Sequence, residues 1–319
     1  MLVFFNTEAQ NNSVAQSDKK KVMYYILYPL LYLLSLLPWA VLYLLSDGVY
    51  GLLYYVVGYR KDVVMNNLSI AFPEKTEQER ITIAKEFYHN FTDTFIETIK
   101  LLSVSDKEFA KRYTHNIEIV NALYDSGINV QLQAGHFFNW EYVNFGESRY
   151  GKYPFVAVYM PIANKAFDKM IKKLRLRYGT ILIPAVDFKT KFHEYLTHVN
   201  GRYALALAAD QNPGNPNIAH WVKFFNRLTP FVPGPEKGAK LNNTAVFFGH
   251  FYKVKRGYYH TQFELITTTP REFENGKLTE LYVTLVEKAI RAKPANYLWS
   301  HRRWKWEFNE EKHGHLVVK

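Results

Sequence analysis

Asn129-Val130-Gln131-Leu132-Gln133-Ala134-Gly135-His136-Phe137-Phe138-Asn139-Trp140-Glu141 reads as a short extended segment, a turn and the first turn of a helix. Gly135 permits a tight turn, and Asn139 is a suitable helix N-cap. The turn presents His136, and a carboxylate follows five positions later. On a regular helix, positions five apart point about 140° away from each other, because each residue turns about 100°. His136 and Glu141 therefore meet only if His136 lies in the turn and Glu141 in the first helical turn. A carboxylate beside an imidazole favours one tautomer and stabilises the imidazolium formed during proton abstraction. The same spacing also suits a partly buried histidine bonded to an acid for stability.

Working outward, the pattern from about residue 117 is α/β. Extended segments are expected at 128–134, 154–159, 180–185 and 203–209, with helical stretches between them. Phe167 to Tyr178 reads as a basic helix with Met170, Ile171 and Leu174 on its apolar side. Val246 to Tyr252 and Tyr258 to Ile266 read as a hairpin around Lys255-Arg256-Gly257. Leu278, Leu281, Leu285 and Ala289 mark a last helix, stopped near Pro294. Before this region, Thr76-Glu77-Gln78-Glu79 is a capping box. Ala84, Phe87, Phe91, Phe95 and Ile99 then recur every three or four residues, the period of an amphipathic helix. Ser105-Asp106-Lys107-Glu108 caps a shorter one.

Residues 1–22 are mostly polar and end in Lys19-Lys20-Lys21, which reads as a loose extension; Met23 is a candidate start. Val22 to Ser46 then carries no charged residue, which is the length of a membrane span. Pro29 and Pro38 interrupt it, and a milder apolar run, Val49 to Val57, ends in Tyr59-Arg60-Lys61. Basic residues flank both sides, so the positive-inside rule keeps both ends in the cytoplasm. That favours a kinked, re-entrant or interfacial hairpin, with a single span or a buried helix pair as alternatives. The simplest partition is an extension over 1–22, a membrane-associated helical segment over 23–58 and a catalytic domain over 59–319.

The chain has 319 residues and no cysteine. Disulfides, thiolate metal sites and cysteine nucleophiles are excluded. Forty Lys+Arg against 29 Asp+Glu give a net charge of +11, which attracts polyanions: nucleic acid, acidic headgroups or an acidic carrier protein. High aromatic content and the apolar N-terminal stretch point to lipid rather than nucleic acid. His193 and His198 stand five apart, not the four that a zinc-binding helix needs, so no metal site is expected. There is no phosphate-binding loop and no dinucleotide fingerprint.

Gly135-His136-x-x-Asn139-Trp140-Glu141 resembles the H-x4-D/E box of the glycerolipid acyltransferase superfamily. It is most similar to the version in the late acyltransferases of lipid A biosynthesis, the lauroyl/myristoyl family. The resemblance runs from about Met23 to Lys305. It takes in Asn66-Asn67-Leu68 before Phe72-Pro73, Asp210-Gln211, Phe224-Phe225 leading to Gly234-Pro235-Glu236, and Tyr297-x-Trp299-x-His301-Arg302-Arg303-Trp304-Lys305. The box is filled here by Phe137-Phe138, where the family often has Gly. Tyr159-Met160-Pro161 replaces a motif that commonly carries a cation.

The resemblance implies a glycerolipid-acyltransferase-like α/β fold, with a central mixed sheet flanked by helices and an N-terminal membrane-anchoring helical segment. The domain would sit at the cytoplasmic face of a bacterial inner membrane. It implies transfer of a fatty acyl group from a thioester, usually on acyl carrier protein, to a hydroxyl of a lipid A precursor. Another lipid acceptor, or a binding protein without chemistry, is the alternative. His136 would be the base and Glu141 its support, with no cofactor beyond the thioester co-substrate. Substrate contacts fall on Arg175, Arg177, Asp210, Gln211, Glu236, Arg302 and Arg303. Asp210 ends an expected strand, where α/β folds place functional groups, although Asp also suits the Asn-Pro-Gly turn that follows. Glu236 suits a helix start equally well. The arginines suit bidentate phosphate recognition.

Overall fold

The computed structural model describes residues 24–319 other than His198 and Asn200. The extension over 1–22, the candidate start Met23 and the His193/His198 spacing therefore fall wholly or partly outside the described residues. The helices are α1 (Tyr24–Leu36), α2 (Trp39–Gly51), α3 (Lys61–Ala71), α4 (Glu77–Lys100), α5 (Asp106–Ala110), α6 (Glu118–Asn121), α7 (Trp140–Tyr150), α8 (Lys165–Arg177), α9 (Phe188–Tyr195), α10 (Gly234–Asn242), α11 (Lys277–Ala292) and α12 (Glu310–His313). The strands are β1 (Tyr113–His115), β2 (Val130–Ala134), β3 (Phe155–Tyr159), β4 (Ile181–Pro184), β5 (Ala204–Ala208), β6 (His220–Phe224), β7 (Arg227–Phe231), β8 (Ala245–Lys255) and β9 (Tyr258–Thr267).

Seven strands form one mixed sheet in the order β1-β9-β8-β2-β5-β3-β4, and β6 pairs with β7 apart from it. β8, β2, β5, β3 and β4 are mutually parallel, while β9 returns antiparallel to β8. β2 is central, and four of its five residues are buried, as a strand covered on both faces requires. All four expected extended segments form strands, which the structure pairs in parallel, and the β8–β9 hairpin forms too, turning through Gly257 at φ +76°. β6 and β7 were not expected. Their apolar residues do not alternate cleanly, Pro230 argues against a strand in β7, and the turn falls on Phe225 and Asn226, both at positive φ.

Thr76 caps α4 reciprocally with Glu79, as the sequence predicts. Ser105 accepts from the Glu108 N–H at the start of α5. The N-terminal apolar stretch divides differently from the expectation. Pro38 ends α1 and starts α2, because proline has no N–H to donate and disfavours helix in the residue before it. α2 continues through Asp47-Gly48, and Asp47 pairs with Arg256 at 2.6 Å. The helix then runs on through a π-helical turn at Leu52–Val57. Trp39–Val57 is thus the helix long and apolar enough to cross a membrane among the described residues. Leu44, Leu52, Tyr55, Val56 and Val57 on it are exposed, as are Tyr25, Ile26, Leu30 and Leu33 on α1. Lys169 and Lys173 of α8 lie over the rings of Tyr24 and Tyr28, each at 4.1 Å.

Candidate active site

β2 and β5 are neighbours with Ala134 opposite Ala208. Each continues two residues into a polar side chain, His136 and Asp210. Imidazole Nδ1 of His136 lies 2.6 Å from Oδ1 of Asp210, and the His136 backbone N–H donates to Oδ2 at 3.1 Å. Asp210 is fully buried, whereas the His136 side chain keeps 29% of its exposure. Burial works against the Asp210 carboxylate, but the charge of His136 and its two hydrogen bonds outweigh it and hold the pKa down to about 2. Burial also disfavours a charged His136 ring. The Asp210 charge and hydrogen bond outweigh that too, so the imidazole pKa lies above its ordinary value. With Asp210 ionised, Nδ1 must carry the proton it donates, which leaves the lone pair on Nε2.

The backbone around His136 is fixed from several directions. The Leu298 N–H donates to the His136 carbonyl at 3.0 Å, and the Phe138 N–H to the Asn296 carbonyl at 2.9 Å. Asn67 Nδ2 donates to the carbonyls of Trp299 and His301, both at 2.7 Å, so the Asn66-Asn67-Leu68 motif holds the loop that holds His136. Gly135 is required for a close approach: a Cβ there would stand 2.9 Å from the Phe137 ring. Asn139 caps α7, as expected, by accepting from the Glu141 N–H at 3.0 Å. Its Nδ2 donates to buried Glu97 of α4 at 3.0 Å.

Glu141 does not support His136. Both of its oxygens are taken by Arg175 of α8, Oε2 by Nε at 3.0 Å and Oε1 by a terminal nitrogen at 2.6 Å. The reason is geometric: the N-cap turns the Glu141 side chain toward α8, while Asp210 arrives from the adjacent strand end and occupies the imidazole. The acid nearer in the chain, Glu141, is thus not the partner of His136; the acid nearer in space, Asp210, is.

A cavity of about 570 Å³ opens beside His136, within the size range of small-ligand pockets. One helical face of α7 (Trp140, Val143, Asn144, Glu147) and one of α8 (Asp168, Ile171, Lys172, Arg175) form its walls over the sheet. The lining is mostly apolar, and it includes Leu132, Phe155, Phe263 and Gln211. Glu147 is buried in that wall and accepts from the Tyr113 hydroxyl at 3.2 Å. Burial pushes its pKa up to about 8 despite that bond. The i, i+3, i+4, i+7 spacing of both walls was in the sequence, but it marks any helix face that packs inward.

The other expected contacts are placed elsewhere. Glu236 is buried, pairs with Lys240 at 2.6 Å and accepts from the Gly276 and Thr279 N–H groups and the Thr279 hydroxyl. Its oxygens are consumed in tying α10 to the start of α11, so it offers nothing to a substrate. Arg303 is 1% exposed. It donates to Asn212 Oδ1 and the Pro230 carbonyl, both at 3.0 Å, and lies 4.2 Å over the Phe231 ring. A solvent-borne phosphate does not reach it there; it braces the loop that follows Asp210 instead. Arg177 is exposed and caps the Leu102 carbonyl at 2.6 Å. The Arg302 side chain is exposed at the surface. His136, Arg175 and Gln211 share the cavity wall, and Asp210 stands behind the imidazole. No cluster of three or more metal-ligating side chains occurs among the described residues.

The family model described as bacterial lipid A biosynthesis acyltransferase matches residues 15–306. A lipid A biosynthesis lauroyltransferase from Escherichia coli (strain K12) is 24% identical over 284 residues, which cover 86% of this chain and 89% of that relative.

Proposed function

The chain belongs to the bacterial lipid A biosynthesis acyltransferase family and is an acyltransferase with a lipid A-like acceptor; from that premise we propose how its residues divide the work. The acyl group arrives as a thioester on acyl carrier protein and leaves on a hydroxyl of a lipid A precursor. The alkyl chain lies in the cavity between α7, α8 and the sheet. Its thioester carbonyl then stands beside His136. Nε2 of His136 takes the acceptor proton as the hydroxyl oxygen attacks that carbonyl. Asp210 holds Nδ1–H and stabilises the imidazolium, which afterwards protonates the departing thiolate. General-base assistance of this kind is typically worth about 10²–10⁴-fold. Glu141 and Arg175 neutralise each other and keep the mouth of the cavity in shape. No cofactor or metal is assigned a part.

The exposed apolar faces of α1 and α2 suit burial in lipid. The lysines of α8 beside α1 suit acidic headgroups or an acidic carrier protein. Together they favour attachment to the bacterial inner membrane with the catalytic domain on its cytoplasmic side.

The observation that carries this reading is the 2.6 Å imidazole–carboxylate bond at the edge of a largely apolar cavity. The test incubates purified protein with acyl carrier protein thioesters and lipid hydroxyls and weighs the products. Wild type should yield the acyl ester, and His136→Ala should lose turnover while remaining folded, with a lower melting temperature because buried Asp210 loses its partner. Full turnover in His136→Ala would remove the base from the scheme.

A further inference from the structure

The strands that carry His136 and Asp210 end in an unusual way. The β2–β5 ladder is phased so that the Val130 N–H bonds to the Tyr203 carbonyl, with Val130 opposite Ala204 and Ala134 opposite Ala208. Carried forward, that phase would next join the Ala134 carbonyl to the Ala209 N–H. The Tyr282 hydroxyl, from α11, stands between those two groups. It donates to the Ala134 carbonyl at 2.9 Å and accepts from the Ala209 N–H at 3.2 Å. Ala209 immediately precedes Asp210, and Ala134 lies two residues before His136.

We propose that Tyr282 is a positioning residue for the catalytic pair: its hydroxyl replaces the closing rung of the ladder and holds the two strand ends apart, so that the Asp210 carboxylate spans both the backbone N–H and Nδ1 of His136. A hydroxyl can do this because it donates and accepts at once, leaving neither backbone group unsatisfied. Phenylalanine in its place would let the rung close directly, or leave a buried carbonyl and N–H without partners. Either outcome shifts the start of the Asp210 loop relative to His136. Burial and the nearby Asp210 charge both keep the Tyr282 hydroxyl protonated. Tyr282 itself is buried among apolar neighbours, with Phe248 6.2 Å away ring to ring. It acts on the reaction only through the two strands.

This inference rests on reading His136 and Asp210 as base and orienting acid, and its test is independent of turnover. Histidine is labelled with ¹⁵N, and the His136 ring is titrated by NMR in wild type and Tyr282→Phe. The titration midpoint should fall toward the ordinary histidine value in the variant. In parallel kinetics, kcat should drop roughly tenfold or more, because small misplacements of a catalytic group are costly, while KM stays within about twofold. An unchanged midpoint overturns the proposal whether or not turnover is lost, since loss with an intact pair marks a merely structural role. Should Tyr282→Phe fail to fold, p-aminophenylalanine at position 282, which can donate to the Ala134 carbonyl but accepts only weakly from the Ala209 N–H, should lower the midpoint part of the way; an unchanged midpoint there overturns the proposal as well. If His136→Ala retained full transfer, the base assignment would fail, yet the titration would still report whether Tyr282 shapes the pair.

Discussion

Two buried carboxylates stand behind cations that line the same cavity, and each is neutralised in a different way. Asp210 faces an imidazole across two strand ends, at 2.6 Å. Glu141 faces a guanidinium across two helices, also at 2.6 Å. The guanidinium cannot change protonation in a protein, so the second pair is locked. The imidazole can, and the Asp210 charge beside it outweighs burial and holds its pKa above the ordinary histidine value. Burial therefore makes both acids seek a cation, but only the histidine pair can carry a proton through a reaction cycle.

Asp210→Asn should break this contrast most deeply. It removes the charge that outweighs burial and raises the His136 pKa. The base must be neutral to work, so the acid limb of the kcat/KM profile should move to lower pH, while the rate falls by about 10²–10⁴-fold. A limb that stays in place would show that the charge of Asp210 does not set the base. Arg175→Met comes next. It strands Glu141, 4% exposed, without its partner, and breaking a buried pair from one side costs about 3–5 kcal/mol. The lower end of that range is expected here, because the Arg175 side chain keeps 18% of its exposure. Adding Glu141→Gln should recover most of the loss in a denaturant melt. Glu141→Gln alone should leave the acid limb where it is; a shifted limb would restore the sequence-based pairing of Glu141 with His136.

The contrast also shows what the sequence could disclose. Strand, turn and capped helix around His136 were legible because each depends on neighbours in the chain: an apolar run, Gly135 and Asn139. The parallel strands were legible because buried β-strands are short apolar runs between helices. The partner of His136 was not, because it comes from residue 210 across a strand pair, and proximity in the chain favoured Glu141. Arg303 and Glu236 looked like surface groups suited to ligands. Their burial is set by Phe224, Phe231 and the start of α11, which meet them only in the fold. Tyr282 carried no signal at all, since one tyrosine on an apolar helix face resembles any other core residue.

The smallest effect is expected at Glu147, a buried carboxyl that itself lines the cavity and has no ion pair among the described residues. Its folded pKa, near 8, lies above the ordinary 4.5 because burial penalises the charge. The folded state therefore holds a proton that the unfolded chain has released throughout that window. Stability must fall as pH rises from about 4.5 to about 8 and level off above it. Glu147→Gln removes the titration while keeping an oxygen to accept from Tyr113. The variant should consequently melt close to wild type at pH 5 and above it at pH 9, with about 2–4 °C for each kcal/mol recovered. A melting difference that stays constant across that range would mean that Glu147 is already ionised in the folded protein, and that the cavity wall is wetter than its lining suggests.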